Sequence, residues 1–222
     1  MSTPLPALSL LETRVLGVLV EKQHTTPDAY PLSLNALAAG CNQKTSRDPV
    51  LDASDADVQA AIDRLRGLTL VVESSGGRVM RYAHNVERVL GVPSQSVALL
   101  AALMLRGPQT VGELRIGTER LHRFADVSAV EGFLDELAQR PAGALVAELP
   151  RQPGTRETRW AHLLSGTPAD AAPSGARPTP NVEPRDVADV AALRADLARV
   201  EGEIAALKNV VARLCAELGV ER

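Results

Sequence analysis

The amino-acid sequence predicts a mainly α-helical protein with small β wings, built as two similar units and followed by a C-terminal coiled-coil helix. Three observations support this fold class. Apolar residues recur with helical spacing along most of the chain. Two ordered motifs recur about 75 residues apart, which is the sign of an internal duplication. The last part of the chain carries an unbroken heptad pattern of apolar residues.

The internal repeat defines the two units. The motif G-x-R-x-x-R-[YW]-A-H begins at Gly76 and again at Gly154. Upstream, the helical pattern V-x-x-x-[IL]-D-x-L begins at Val58 and again at Val130. Two separate matches in the same order indicate a duplication, because a chance match would rarely preserve that order. The predicted domains are residues 8–91 and 92–164.

Each unit is predicted to contain three helices followed by a β-hairpin. In the first unit, helical spacing covers Leu8–Lys22. Ser33 caps a short second helix that ends at about Gly40, and Ser54 caps a third helix. A Gly-rich turn then separates two strands, which predicts a hairpin. The predicted strands are Leu70–Glu73 and Val79–His84.

The second unit follows the same order of elements. Its first helix is predicted over Gln95–Arg106, its second begins at a capping box formed by Thr110 and Glu113, and its third spans Val127–Gln139. Three helices followed by a two-stranded wing is the winged-helix arrangement. The sequence therefore predicts two tandem winged-helix domains. The strands of the second hairpin are Leu145–Leu149 and Glu157–Leu163.

The C-terminal region is predicted to dimerise. Residues 165–186 contain five prolines and form a flexible linker in this interpretation. Residues 187–218 alternate apolar steps of three and four, which predicts a parallel homodimeric coiled coil. The alternative is a lone helix that docks on its own domains. The predicted dimerisation residues are Val190, Leu193, Leu197, Val200, Ile204, Leu207, Val211, Leu214 and Leu218.

Composition and motifs exclude several function classes. A formal net charge of −3 excludes a globally basic nucleic-acid coat protein. The longest apolar run, Val97–Leu105, is far shorter than the ~20 residues of a membrane-spanning helix. With no secretory signal and two distant cysteines, the chain is predicted to be cytoplasmic. Known enzyme motifs and metal-ligand spacings are absent from the sequence, so we expect no catalytic activity, cofactor or metal.

Several strings in the sequence resemble the bacterial YceH family. The resemblance covers about residues 8–164 and implies a tandem winged-helix fold, but it implies no catalytic residues. The strings are Leu16–Lys22, Tyr30–Leu37, Cys41–Pro49, Leu105–Thr110, Gly112–Arg115 and Leu149–Glu157.

The winged-helix prediction leads to a DNA-binding hypothesis. Winged helices commonly place their third helix in the major groove and their wing on the phosphate backbone. On this basis the chain is a dimeric DNA-binding regulator, in which Gln59 and Arg64 read bases and loop and wing residues contact phosphates. The predicted nucleic-acid-binding residues are Asn42, Gln43, Lys44, Arg47, Gln59, Arg64, Arg78 and Arg81.

Acidic residues on the third helices favour a second hypothesis. Asp55 and Asp57 lie at the helix end that would meet phosphates, where negative charge is repelled. In the second unit, the third helix carries Glu131, Asp135 and Glu136. The alternative function is therefore a protein–protein interaction or scaffold module that does not bind DNA and whose acidic helix docks a basic partner.

Overall fold

The computed structural model of the chain describes residues 5–74, 79–151, 155 and 157–166. Over these residues the protein is mainly helical, with two small antiparallel sheets. The predicted linker beyond residue 166, the coiled-coil residues and Arg78 lie outside the described residues. The helices are α1 (Leu10–Thr25), α2 (Leu34–Cys41), α3 (Asp55–Gly67), α4 (Val86–Leu90), α5 (Ser94–Arg106), α6 (Val111–Gly117) and α7 (Val127–Ala138). The strands are β1 (Leu32–Ser33), β2 (Val71–Ser74), β3 (Arg81–His84), β4 (Val146–Leu149) and β5 (Arg159–His162).

A capping box sets the start of α1. The Ser9 hydroxyl accepts a hydrogen bond from the Glu12 N–H at 3.2 Å, and the Glu12 carboxylate accepts one from the Ser9 N–H at 2.7 Å. Leu8, which the apolar spacing predicted as the first helical residue, therefore lies outside the helix. Its N–H donates to the Leu164 carbonyl at 2.8 Å and ties the start of the first unit to the end of the second.

The helix caps predicted from the sequence are confirmed. Ser33, Ser54 and Thr110 each accept a hydrogen bond from the N–H three residues along the chain. The end of α1 differs from the prediction, because the helix continues past Lys22 to Thr25. Pro27 follows shortly afterwards and cannot continue the hydrogen-bond ladder, since proline has no N–H.

A third strand, which the sequence did not reveal, completes the first sheet. β3 pairs with β2, as the predicted hairpin requires, and also with the two-residue β1, where Leu32 lies opposite Tyr82. In the second unit, Gln109 forms an isolated bridge with Trp160, with N–H to carbonyl distances of 3.0 and 2.7 Å. The prediction of two-stranded wings was therefore incomplete, because elements this short show no alternation pattern.

The two hairpins share the same register. Tyr82 lies opposite Glu73 on β2, and Trp160 lies opposite Glu148 on β4. The sequence repeat therefore extends to the pairing of individual residues across the strands. Both sheets are compatible with the wings of winged-helix domains.

The hydrophobic core runs through both units, and α1 packs against α5 at its centre. Nearly every residue of α5 is buried, as expected for a helix that is apolar on all sides. At the crossing, a Cβ on Gly17 would lie 2.9 Å from the Leu105 side chain and 3.4 Å from the Met104 Cβ. Glycine at this position therefore lets the two helices approach closely. The division into domains 8–91 and 92–164 stays a prediction.

We expect Gly17→Val to lower the free energy of unfolding by about 1–3 kcal/mol, because the added methyl groups overpack the α1–α5 crossing. Urea denaturation followed by circular dichroism would measure this. Gly132→Ala is the control, since nothing lies within 4 Å of a Cβ at Gly132. That control should raise the free energy of unfolding by about 0.5–1 kcal/mol. A Gly17→Val variant as stable as the parent would contradict the close approach.

Two half-buried histidines are expected to make the fold sensitive to acid. His84 ends β3 and His162 ends β5, and burial lowers the pKa of each to about 4. The charge of His24 also lowers the pKa of His84. An unfolded histidine titrates near a pKa of about 6.5. Between these pH values the unfolded chain binds more protons than the folded chain, so stability falls as pH falls through this window.

We expect the free energy of unfolding of the parent to fall between pH 7 and pH 4. In a His84→Gln/His162→Gln variant this fall should be smaller by about 1–3 kcal/mol, because glutamine does not take up a proton. Urea denaturation at pH 7, 6, 5 and 4 would measure the difference. His122→Gln is the control. Parallel pH profiles for the parent and the double variant would show that these two imidazoles do not cause the acid sensitivity.

Candidate functional site

Asn42 closes the loop between α2 and α3 (residues 42–54). Its Nδ2 donates to the Ala53 carbonyl at 2.8 Å, and its Oδ1 accepts from the Ala53 N–H at 2.8 Å. The side chain therefore pairs with the backbone much as a neighbouring strand would. Both polar groups of Asn42 are used to shape the loop, which leaves this predicted DNA-contact residue with an internal role.

Arg47 is buried inside the same loop, and its guanidinium uses all five donors within the protein. Nε donates to the Gly40 carbonyl at 3.1 Å. The two terminal nitrogens donate to the Glu21 carboxylate at 3.2 and 2.6 Å. Further bonds reach the Ser46 carbonyl at 2.9 Å and the Gln43 side chain at 3.3 Å. The structure thus gives Arg47 an internal role, and its contact with a phosphate stays a prediction.

The carboxylate of Glu21 is ionised because Arg47 binds it. Burial by itself raises the pKa of Glu21, but the hydrogen bonds and charge of Arg47, together with the charge of Lys22, outweigh burial and lower that pKa. A charged pair therefore links α1 to the loop.

A second arginine, Arg14, is fully buried behind the loop. Its Nη1 donates to the Cys41 carbonyl at 3.2 Å and its Nη2 to the Pro49 carbonyl at 2.7 Å. Burial, followed by the charge of Arg47, lowers the pKa of Arg14. The Cys41 thiol is also buried, and burial raises its pKa to about 12, so the thiol is protonated at neutral pH. Arg14 and Arg47 thus hold the loop from inside the protein.

The two predicted base readers on α3 are bonded to neighbouring residues. Gln59 accepts a hydrogen bond from the Tyr82 hydroxyl at 3.1 Å and donates to Asp63 at 3.0 Å. Arg64 Nε forms an ion pair with the Glu12 carboxylate at 3.0 Å, although 57% of the Arg64 side chain is exposed. Either side chain would have to give up these bonds before it could bind a base edge.

Among the described members of the predicted contact set, Lys44 is the residue whose side chain is free for a ligand. It is exposed, and no hydrogen bond or ion pair holds it within the part of the chain that the structure describes. Arg81, by contrast, donates to the carbonyls of Pro31 at 2.8 Å and Ala29 at 3.3 Å. The described members of the set are therefore not brought together as one free cationic surface.

The exposed side of α7 is acidic. Glu131, Asp135 and Glu136 are exposed and form no ion pair among the described residues. Between them lies Gly132, where a Cβ would meet open space. A glycine inside a helix costs about 0.5–1 kcal/mol relative to alanine, and no contact within the described chain requires it here. We name these four residues the acidic face of α7.

The structure brings together three cations that the sequence did not single out. Lys22, Arg106 and Arg120 line one small cavity, together with the loop residues Gln43 and Ser46. The five residues come from distant parts of the sequence and form no motif, so only the fold reveals that they are neighbours.

Comparison with known proteins identifies the family. Residues 8–155 match the family model described as "Protein of unknown function, DUF480". The chain belongs to this family. It is 57% identical to a UPF0502 protein of Dechloromonas aromatica, over 95% of the chain and 97% of that protein. It is 58% identical to UPF0502 proteins of Methylibium petroleiphilum, over 98% of the chain and 92% of that protein, and of Leptothrix cholodnii, over 96% of each.

Two other features are absent from the described residues of this DUF480 chain. Across the residues that the structure describes, no helix is long and apolar enough to cross a membrane. Over the same residues, no group of three or more His, Cys, Asp and Glu side chains is placed to hold a metal ion.

We expect Arg47→Met to lower the free energy of unfolding by about 3 kcal/mol, because it leaves the Glu21 carboxylate largely buried without its partner. The double variant Arg47→Met/Glu21→Gln should lose less free energy of unfolding than the sum of the losses in the two single variants, since neither charge then remains. Urea denaturation would measure all three variants. Arg66→Met, which removes surface ion pairs to Glu73 and Asp63, is the control and should cost under about 1 kcal/mol. Strict additivity of the Arg47 and Glu21 effects would contradict the pairing.

Proposed function

We propose that the chain is a non-enzymatic tandem winged-helix protein that acts as a protein-interaction module, and that the acidic face of α7 binds a basic segment of its partner. The order of elements from α1 to β3, with sheet order β1-β3-β2, supports a winged-helix first unit. The second unit repeats this order, with the Gln109–Trp160 bridge in place of a strand. The resemblance to the YceH family, which implies the same fold, stays a prediction.

One observation carries this proposal: the acidic face of α7 presents three carboxylates that no cation among the described residues neutralises. Lysine and arginine side chains of a partner would supply the complementary charge. Gly132 leaves the middle of this face without a side chain, so the backbone of a bound segment could approach α7 closely.

The same charges disfavour DNA binding through the third helices. In the second unit, phosphates would meet Glu131, Asp135 and Glu136 on α7. In the first unit, Asp55 and Asp57 are exposed in the first turn of α3. Affinity for DNA comes largely from neutralising phosphates with cations, and these helix surfaces carry the opposite charge.

The heptad pattern of residues 187–218 supports a homodimer as part of the proposal. A dimer would carry two acidic faces on one particle, and binding of two basic segments on the same partner would then gain from effective concentration. We place this dimer in the cytoplasm, as the sequence predicts.

A second candidate is the dimeric DNA-binding regulator. The observation that favours it is Lys44, which is exposed on the predicted contact loop with no bonding partner among the described residues. In this case the α2–α3 loop, and not the third helix, would contact phosphates.

Fluorescence anisotropy of the full-length protein separates the two candidates. The probes are a labelled octapeptide of alternating lysine and arginine and a labelled random duplex DNA, each at about 50 and 200 mM salt. Under the proposal, the peptide binds, and Glu131→Gln/Asp135→Asn/Glu136→Gln weakens it at least about tenfold, since the complementary charge is lost. The control, Asp28→Asn/Glu87→Gln/Glu119→Gln, removes the same charge from exposed positions elsewhere and should leave peptide binding unchanged.

Two outcomes would overturn the interaction-module proposal. If both triple variants lost peptide binding equally, the affinity would depend on the net charge of the protein and not on the acidic face of α7. Tight, salt-sensitive binding of the duplex that is lost in Lys44→Ala would establish the DNA-binding regulator instead.

A further inference from the structure

A small cavity lies where the two units meet. Its volume is about 170 Å³, and its walls come from the end of α1, the α2–α3 loop, the end of α5 and the segment that follows α6. It therefore receives side chains from both sequence repeats. The cavity belongs to neither third helix and is separate from the acidic face of α7.

Cations dominate the lining of this cavity. Lys22, Arg106 and Arg120 contribute three positive charges, and Glu21 contributes the negative one. The Glu21 carboxylate is already bound by Arg47, at 2.6 and 3.2 Å, and lies 3.5 Å from the Lys22 ammonium. Arg106 and Arg120 have no hydrogen bond or ion pair with any residue that the structure describes. The cavity therefore carries an excess of positive charge.

The backbone around α6 makes room for the Arg106 guanidinium. Its Nη1 lies 3.1 Å from the position that a Cβ on Gly117 would occupy. A Cβ at Gly117 would require this guanidinium to shift by a few tenths of an ångström, so glycine favours its present position over the end of α6. Arg106 is half-buried, which limits how far water can screen its charge.

Neutral polar groups complete the cavity wall. Ser46 is an exposed residue of the α2–α3 loop, and its side chain lies at the wall. The Gln43 side chain accepts from Arg47 at 3.3 Å and donates to Thr45 at 3.1 Å. An amide that is already bonded on both sides is held in position. A fixed amide and a hydroxyl next to three cations suit a ligand with several acceptor oxygens.

We propose that this cavity binds the phosphate group of a small anionic ligand. A phosphate carries up to two negative charges and several acceptor oxygens, which match one ammonium and two guanidinium groups better than a single carboxylate would. The volume accommodates a phosphate group and leaves the rest of the ligand at the cavity mouth. The bound anion contacts α1 and the loop of the first unit and α5 of the second, so it joins the two units.

Isothermal titration calorimetry of the full-length protein tests the proposal, with inorganic phosphate and inorganic pyrophosphate as probes and chloride at equal ionic strength as the reference. Both probes should bind with saturable heat, and Arg106→Gln/Arg120→Gln should weaken them at least about tenfold. Arg115→Gln/Arg123→Gln is the matched control. It removes the same charge from two exposed arginines nearby that do not line the cavity, and it should leave binding unchanged.

Gly117→Ala provides a variant that keeps every charge. It should weaken phosphate binding less than the double arginine variant does, because the new methyl group shifts the Arg106 guanidinium by only a few tenths of an ångström. Circular dichroism and the urea midpoint report whether the fold is intact. The proposal would be overturned if neither probe gave saturable heat. It would also be overturned if the two double arginine variants lost phosphate binding equally. Binding of random duplex DNA that depends on Arg106 and Arg120, without binding of either free anion, would overturn it as well and assign these cations to the DNA backbone.

Discussion

Two buried arginines hold the loop between α2 and α3 in place, and the charges that this part of the surface presents depend on them. Arg14 and Arg47 are placed in the interior, where their guanidinium groups donate mainly to backbone carbonyls and to the Glu21 carboxylate. A buried cation is tolerated when its donors are satisfied and its charge is balanced. Arg47 meets both conditions through its five hydrogen bonds and the Glu21 carboxylate. Arg14 donates to two carbonyls, and its buried Nε has no hydrogen-bond partner among the described residues. Here the bonds fix the loop between α2 and α3, which has little regular structure of its own. The backbone of this loop therefore follows the path that the hydrogen bonds of Arg14 and Arg47 impose.

Cations that are bonded inside the fold are not available to bind a partner. A count of cations in the first unit suggests a phosphate-binding loop, but Arg47 is used internally and Arg64 is paired with Glu12. Among the described residues, the charges left for a partner include Lys44, the acids of α7 and the cations around the cavity. Charge in this protein has to be assigned residue by residue, because an ion pair inside the fold contributes little to the potential that a partner meets.

The sequence predicted local features well, and it predicted contacts between residues distant in the sequence poorly. Caps such as Ser54 and Thr110 depend on residues three positions apart, so the pattern of side chains was enough to place them. The hairpins followed from turn residues and alternation. By contrast, β1 and α4 are too short to produce a periodic signal. The burial of Arg14 could not be predicted, since arginine is usually exposed. Lys22, Arg106 and Arg120 share no motif, and they lie close together only because α1, α5 and the segment after α6 pack against one another.

The glycine at the crossing of α1 and α5 has a consequence for dividing the chain. Gly17 lets the first helix of one predicted repeat lie directly against the first helix of the other, inside one hydrophobic core. A fragment that carried one repeat alone would therefore expose to water the apolar surface that the other repeat covers. Large exposed apolar patches favour association and aggregation, so such a fragment should be less soluble than the full chain.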